Sequence, residues 1–102
     1  MRPETFKRAA QALYGAAWED MMALDGAWSR RFVERVAAGQ IEPHAYVGET
    51  VKEMLLERIE TMNRIAEQKG QNETRRAKIM ARLALLSEIA DALDRDIAKQ
   101  AA

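Results

Sequence analysis

Ile79, Leu83, Leu86, Ala90, Leu93 and Ile97 follow one another at spacings of 4, 3, 4, 3 and 4 residues. An α-helix gathers such positions on one side, whereas a strand would scatter them over both faces. The chain from 73 to about 99 is therefore expected to be one long helix with a heptad seam, and Leu85 and Ile89 add a narrower second stripe. Ahead of it, Val47, Val51, Leu55, Ile59, Met62 and Ile65 or Ala66 draw a similar stripe from about 45 to 68. Between the two, Lys69, Gly70, Gln71 and Asn72 read as a turn, with Gly70 as terminator and Asn72 as the next N-cap. Two long helices joined this closely make a hairpin.

The first 44 residues are punctuated more often. Pro3 suits the first position of a helix, where a missing N–H costs nothing. Phe6, Ala9, Ala10 and Leu13 then form one stripe, which Gly15 ends. Trp18, Met21 and Met22 give a second, short apolar face, closed by Gly26. Ser29 is a good N-cap for a third helix. That helix turns Phe32, Val33 and Val36 inward and leaves Arg30, Arg31, Glu34 and Arg35 outward; Gly39 stops it and Pro43 restarts the chain. Alternating runs of β-branched residues are absent, so no sheet is expected. The expected fold is all-α: a three-helix head over residues 1–44, then a two-helix hairpin over 45–102, the two forming one compact unit.

Composition narrows the function classes. The chain of 102 residues has no cysteine and one histidine, so disulfides, thiolate zinc sites and sites built on several imidazoles are not expected. No Walker-type, HExxH or Ser/His/Asp arrangement occurs, and neither catalysis nor a cofactor is expected. No apolar run approaches the roughly 20 residues that span a bilayer, and the N-terminal residues lack a signal-peptide core. A reducing cytoplasm is the natural home. Sixteen basic and sixteen acidic side chains cancel, so binding to nucleic acid would need a local patch.

Such a patch is legible around Ser29. Two short helices joined by a tight glycine-bearing turn, the second opening on a capping serine, form a helix-turn-helix pattern. In that arrangement the first helix crosses the phosphate backbone and the second offers its N-terminal residues to base edges in the major groove. Arginine fits the O6/N7 edge of guanine with two parallel hydrogen bonds. Arg30 and Arg31 occupy the first turn after the cap, and Arg35 follows one turn later.

Leu13-Tyr14-Gly15, Trp18, Met22-Ala23, Ser29-Arg30-Arg31, Val33, Arg35, Gly39 and Pro43 fall in a spacing that resembles small bacterial and phage helix-turn-helix regulators of the phage-repressor-like, xenobiotic-response-element type. A helix with a pattern like Met54-Leu55-Leu56-Glu57-Arg58-Ile59 often follows in that class. The resemblance covers residues 5 to about 66. It implies a head that binds double-stranded DNA through Ser29, Arg30, Arg31, Glu34 and Arg35, with Lys7, Arg8 and Gln40 holding the backbone. This chain departs from the class in its turn, where leucine, glycine and valine become Gly26, Ala27 and Trp28. Alanine there is strained if it adopts positive φ. Phe32 replaces a small polar residue and Val36 a tryptophan. Glu34 replaces a basic residue and would repel phosphate unless it accepts from a cytosine amine.

An ordinary solvated helix face is the plain alternative for these arginines. Residues 1–47 carry six basic and six acidic side chains, and Glu19, Asp20 and Asp25 would have to point away from a duplex. Trp18 and Trp28 are expected to pack in the core and the turn, and the six methionines to fill it. His44 is expected in solvent. The last helix places Arg75, Arg76, Lys78 and Arg82 before Glu88, Asp91, Asp94 and Asp96, against the order the helix dipole prefers. Antiparallel pairing with its own copy would set basic against acidic at both ends. A homodimer built on residues 73–99, with Ile79, Leu83, Leu86, Ala90, Leu93 and Ile97 as its seam, follows as an expectation. The expected function is therefore a dimeric transcriptional regulator. The alternative is an oligomeric assembly protein of the phage-packaging type, or a protein-binding adaptor or inhibitor that does not read DNA sequence.

Overall fold

The computed structural model describes residues 1–101; the last position of the expected hairpin range, residue 102, lies outside it. The described chain is all-helical. It runs α1 (Pro3–Tyr14), a single 3-10 turn (Gly15–Ala17), α2 (Trp18–Gly26), α3 (Arg30–Ala37), α4 (Ala45–Ala66) and α5 (Glu73–Ala101). The three short helices make a helix-turn-helix head, and α4 with α5 makes the hairpin. Among the described residues no helix is long and apolar enough to cross a membrane.

Local signals explain most boundaries. Pro3 opens α1, and Gly15, at φ 64°, turns the chain into the 3-10 segment. The Asn72 Oδ1 accepts from the Arg75 N–H at 2.7 Å and caps α5. The Ser29 Oγ accepts from the Phe32 N–H at 3.0 Å and caps α3. His44 has a role beyond exposure: its Nδ1 accepts from the Tyr46 N–H at 3.2 Å at the start of α4.

One hydrophobic core joins head and hairpin. Phe6, Ala9, Ala10 and Leu13 of α1 meet Met22 of α2, Val33 and Val36 of α3, Val47, Val51 and Leu55 of α4, and Leu86, Ile89 and Leu93 of α5. No break in this core falls at residue 44. Near its open end the hairpin closes tightly: a Cβ added to Gly48 would stand 3.3 Å from Ile97 Cγ1. The C-terminal carbonyls of α1 have no basic residue of their own helix beside them. Two arginines from the hairpin supply the missing donors. Arg58 Nη1 donates to the Leu13 carbonyl at 2.8 Å, and Arg82 Nη2 to the Ala12 carbonyl at 2.6 Å.

The seam expected to join two copies lies inside one subunit instead. Leu83, Leu86, Ala90 and Leu93 are buried within the single chain, where α1 and α4 cover them. Ile97 packs over Gly48, and Ile79 is half-buried. The heptad spacing is genuine, but its partners are the chain's own helices, which hold these side chains before a second copy can.

Asp96 shows how the hairpin's far end is fastened to the chain start. It is buried, and its Oδ2 accepts from the Arg2 N–H at 2.9 Å. Burial pushes its carboxyl up, but the Thr5 hydroxyl, the Arg2 N–H and neighbouring positive charge outweigh that and hold it below its ordinary value of 3.8.

Two outcomes follow. Leu86→Ala is expected to cost about 2–5 kcal/mol, read as a lower urea midpoint at unchanged slope, while Leu85→Ala on the exposed side stays within about 1 kcal/mol. The folded value of Asp96 is depressed, so its stabilisation is complete above pH 3.8 and is lost as pH falls through the lower folded value. Urea midpoints measured from pH 5 to pH 2 should therefore fall less steeply in Asp96→Asn than in the parent.

Candidate nucleic-acid interface

The turn between α2 and α3 fixes the candidate surface. Ala27 has φ 56° and ψ 41°, the left-handed conformation in which a Cβ is strained. It is the only non-glycine residue with positive φ among the described residues. The expectation of strain at this alanine is met. Gly26, one residue earlier, ends α2 in ordinary helical form, yet it admits no side chain. A Cβ there would stand 2.2 Å from the Trp28 ring. Trp28 thus occupies the space above Gly26 and packs 6.4 Å from the Phe6 ring and 5.8 Å from Phe32, centroid to centroid. The small residue stands before the turn and the large one after it, and the strained αL position between them is an alanine.

Beyond the turn, Val33 and Val36 are buried and Phe32 half-buried, which leaves Arg30, Arg31, Glu34 and Arg35 exposed. These four divide into two stripes, because residues four apart share a flank. On one, Arg30 is held by three carboxylates: Asp20 at 3.0 Å from Nη1, Glu19 at 3.6 Å from Nη2 and Glu34 at 2.9 Å from Nε. The Glu34 hydrogen bond, then the Asp20 and Glu19 charges, keep this guanidinium protonated more firmly than usual. Arg30 is therefore not free to reach a base edge, and Glu34 is not free to accept from one. On the other stripe stand Arg31 and Arg35, which form no ion pair among the described residues.

The backbone-holding set separates. Lys7 lines a shallow hollow with Trp18, Glu19, Glu34, Ala37 and Ala38, so it borders α3. Arg8 points elsewhere: its Nη2 lies 3.5 Å from Glu88 Oε1 on α5, which removes it from the α3 surface. Gln40 closes α3, its N–H donating to the Arg35 carbonyl at 2.9 Å. It also lines a cleft of about 460 Å³ with Val36, Pro43, Asp96 and Lys99. Trp18 is half-buried beside the core, as expected of a packing residue.

Glu19 and Asp20 are the residues whose effect on this surface the sequence leaves undecided. They sit in the first turn of α2, eleven and ten positions before Arg30. Only the turn geometry brings them to its guanidinium. On the opposite side of α2, Tyr14 donates a short hydrogen bond to Asp25, with Arg58 stacked 5.7 Å over the Tyr14 ring. Burial, then the Asp25 acceptor, push the Tyr14 hydroxyl up to about 12. Asp25 is thereby turned away from α3 toward α4. No group of three or more metal-ligating side chains occurs among the described residues.

The turn makes an asymmetric prediction. Ala27→Gly should raise stability by about 0.5–1 kcal/mol by relieving the left-handed alanine. Gly26→Ala should lower it by about 1–3 kcal/mol, because Trp28 must move. Thermal and urea unfolding of the two variants measure both. No family model matches the chain, nor does any curated protein or solved structure, and the character of this surface is read from its own geometry.

Proposed function

We propose that the chain is a small DNA-binding protein, a cytoplasmic transcriptional regulator of the bacterial or phage helix-turn-helix kind, with no catalytic role. The observation that carries this reading is a capped, exposed α3 that presents Arg31 and Arg35 on one unpaired flank. Helix α2 would lie across the phosphate backbone and α3 would enter the major groove by its N-terminal end. Arg31 and Arg35 would then make the base or phosphate contacts. The Ser29 Oγ accepts from the Phe32 N–H, which leaves its own hydrogen for a phosphate. Lys7 stands on the other flank, beside Glu19 and Glu34. Arg30 has a positioning role here, because it ties Glu19, Asp20 and Glu34 into one cluster whose acid it offsets in part.

That cluster favours a second reading. Three carboxylates beside one guanidinium put acid near the end of α3 that would meet a polyanion. An oligomeric assembly subunit, or an adaptor that binds another protein, would tolerate them better.

Selection of bound sequences from a random duplex pool at physiological salt separates the two. The regulator reading expects an enriched motif, a steep loss of binding with salt, and a cost of about 1–3 kcal/mol at one guanine for Arg31→Ala. It also expects Asp20→Asn to tighten binding, since that change removes acid beside α3. No enrichment and a flat salt response would pass the function to the assembly reading.

A further inference from the structure

The hairpin has an outward face that the head does not cover. Along α5, Glu73, Ala77, Met80, Ala84, Asp91, Arg95 and Ala98 share one heptad stripe, and every one of them is exposed. This stripe is turned away from the buried Leu83–Leu86–Ala90–Leu93 seam. Met80 is 52% exposed, a large apolar side chain with nothing over it. The Lys52–Asp94 ion pair, 2.6 Å, marks the edge where α4 adjoins this side of α5. Leu56, one turn beyond Lys52, lies on that same edge and is 48% exposed. Met80 stands fourteen residues, four turns, before Asp94 on the same flank of α5. Ala77, Met80 and Ala84 therefore form an apolar strip along α5, and Leu56 stands on α4 one turn from the Lys52–Asp94 pair.

Its ions name the occupant. Glu73 and Arg95 stand eleven residues before and after Ala84, and eleven residues are close to three whole turns. Arg76 and Asp91 stand eight before and seven after it. None of these four forms an ion pair within the subunit among the described residues. Glu73 and Arg95 are thus opposite charges at the same distance from Ala84, and Arg76 and Asp91 are opposite charges one residue out of that register, which suits a self-complementary surface.

We infer that a second copy of this chain packs antiparallel along this face, with the two-fold axis at Ala84, so that Glu73 meets the partner's Arg95 and Arg76 meets the partner's Asp91. Small side chains at Ala77 and Ala84 let the helices approach closely, and Met80 and Leu56 of both copies close over the contact. The result is a four-helix arrangement of two hairpins. It does not depend on DNA binding, since α3 takes no part in it.

Sedimentation equilibrium of the full chain tests this. The parent should give twice the 11.5 kDa chain mass at micromolar concentration. Ala84→Glu sets two like charges across the axis and should return the chain mass, with an unchanged helical circular dichroism spectrum. Glu73→Arg and Arg95→Glu should each weaken association at least about tenfold, and the double variant should restore it, because a direct ion pair survives exchange of its charges. A parent that stays at the chain mass up to about millimolar concentration overturns the inference. So does an Ala84→Glu variant that still dimerises, or a double variant no tighter than the singles.

Discussion

Helix α1 is the member on which the remaining structure depends. It has only twelve residues, too few to hold a helix alone in water, and it lies between everything else. One face supplies Phe6, Ala9, Ala10 and Leu13 to the common core, so the α2–α3 pair and the α4–α5 hairpin meet through it. Its small residues let the hairpin come near. Its carboxyl end leaves carbonyls that water would otherwise have to satisfy, and Arg58 and Arg82 reach in from both hairpin helices to bond them. A charged donor on a partly buried carbonyl is among the stronger hydrogen bonds available to a protein. Packing and capping thus fix the same geometry, and the head cannot turn on the hairpin without losing both.

That arrangement also explains which expectations the sequence could support. Periodicity reports which side of a helix is apolar, and the stripes of α1, α4 and α5 are found where the spacing puts them. Periodicity does not report who covers the stripe. The seam from Ile79 to Ile97 looks the same whether its partner is another chain or the chain's own α1 and α4, and the second case holds here. Arg82 shows the same limit. Counted along the chain it belongs to a basic run with Arg75, Arg76 and Lys78, but its guanidinium serves the Ala12 carbonyl. Caps were legible because they are local: Ser29 and Asn72 bond donors only three residues away.

The turn shows a compensation that pattern reading captures only in part. A helix-turn-helix corner needs one residue with positive φ and one side chain that fills the angle between the helices. Here Trp28 is the filler, and its six-membered ring lies where a Cβ of residue 26 would be. The glycine is therefore required by volume at position 26, and the backbone strain falls on Ala27. A glycine seen in a turn invites a conformational explanation; at Gly26 the cause is the neighbouring indole.

Charge decides which parts of this neutral chain can face a partner, and it does so pair by pair. Arg30 with Glu19, Asp20 and Glu34 is one cation among three carboxylates, so its own charge is cancelled and the cluster as a whole stays acidic. Arg8 with Glu88 and Lys52 with Asp94 are matched across elements. Among the ions left over, Arg31 and Arg35 share one flank of α3, while Glu73 and Arg95 lie at equal distances from Ala84 on α5, with Arg76 and Asp91 one residue off that symmetry. The first group has a single sign and suits a partner of opposite charge. The second has both signs in mirrored order and suits a copy of itself. The two proposed roles are therefore separable: α3 would hold a partner of opposite charge, and the outward face of α5 would pair two copies.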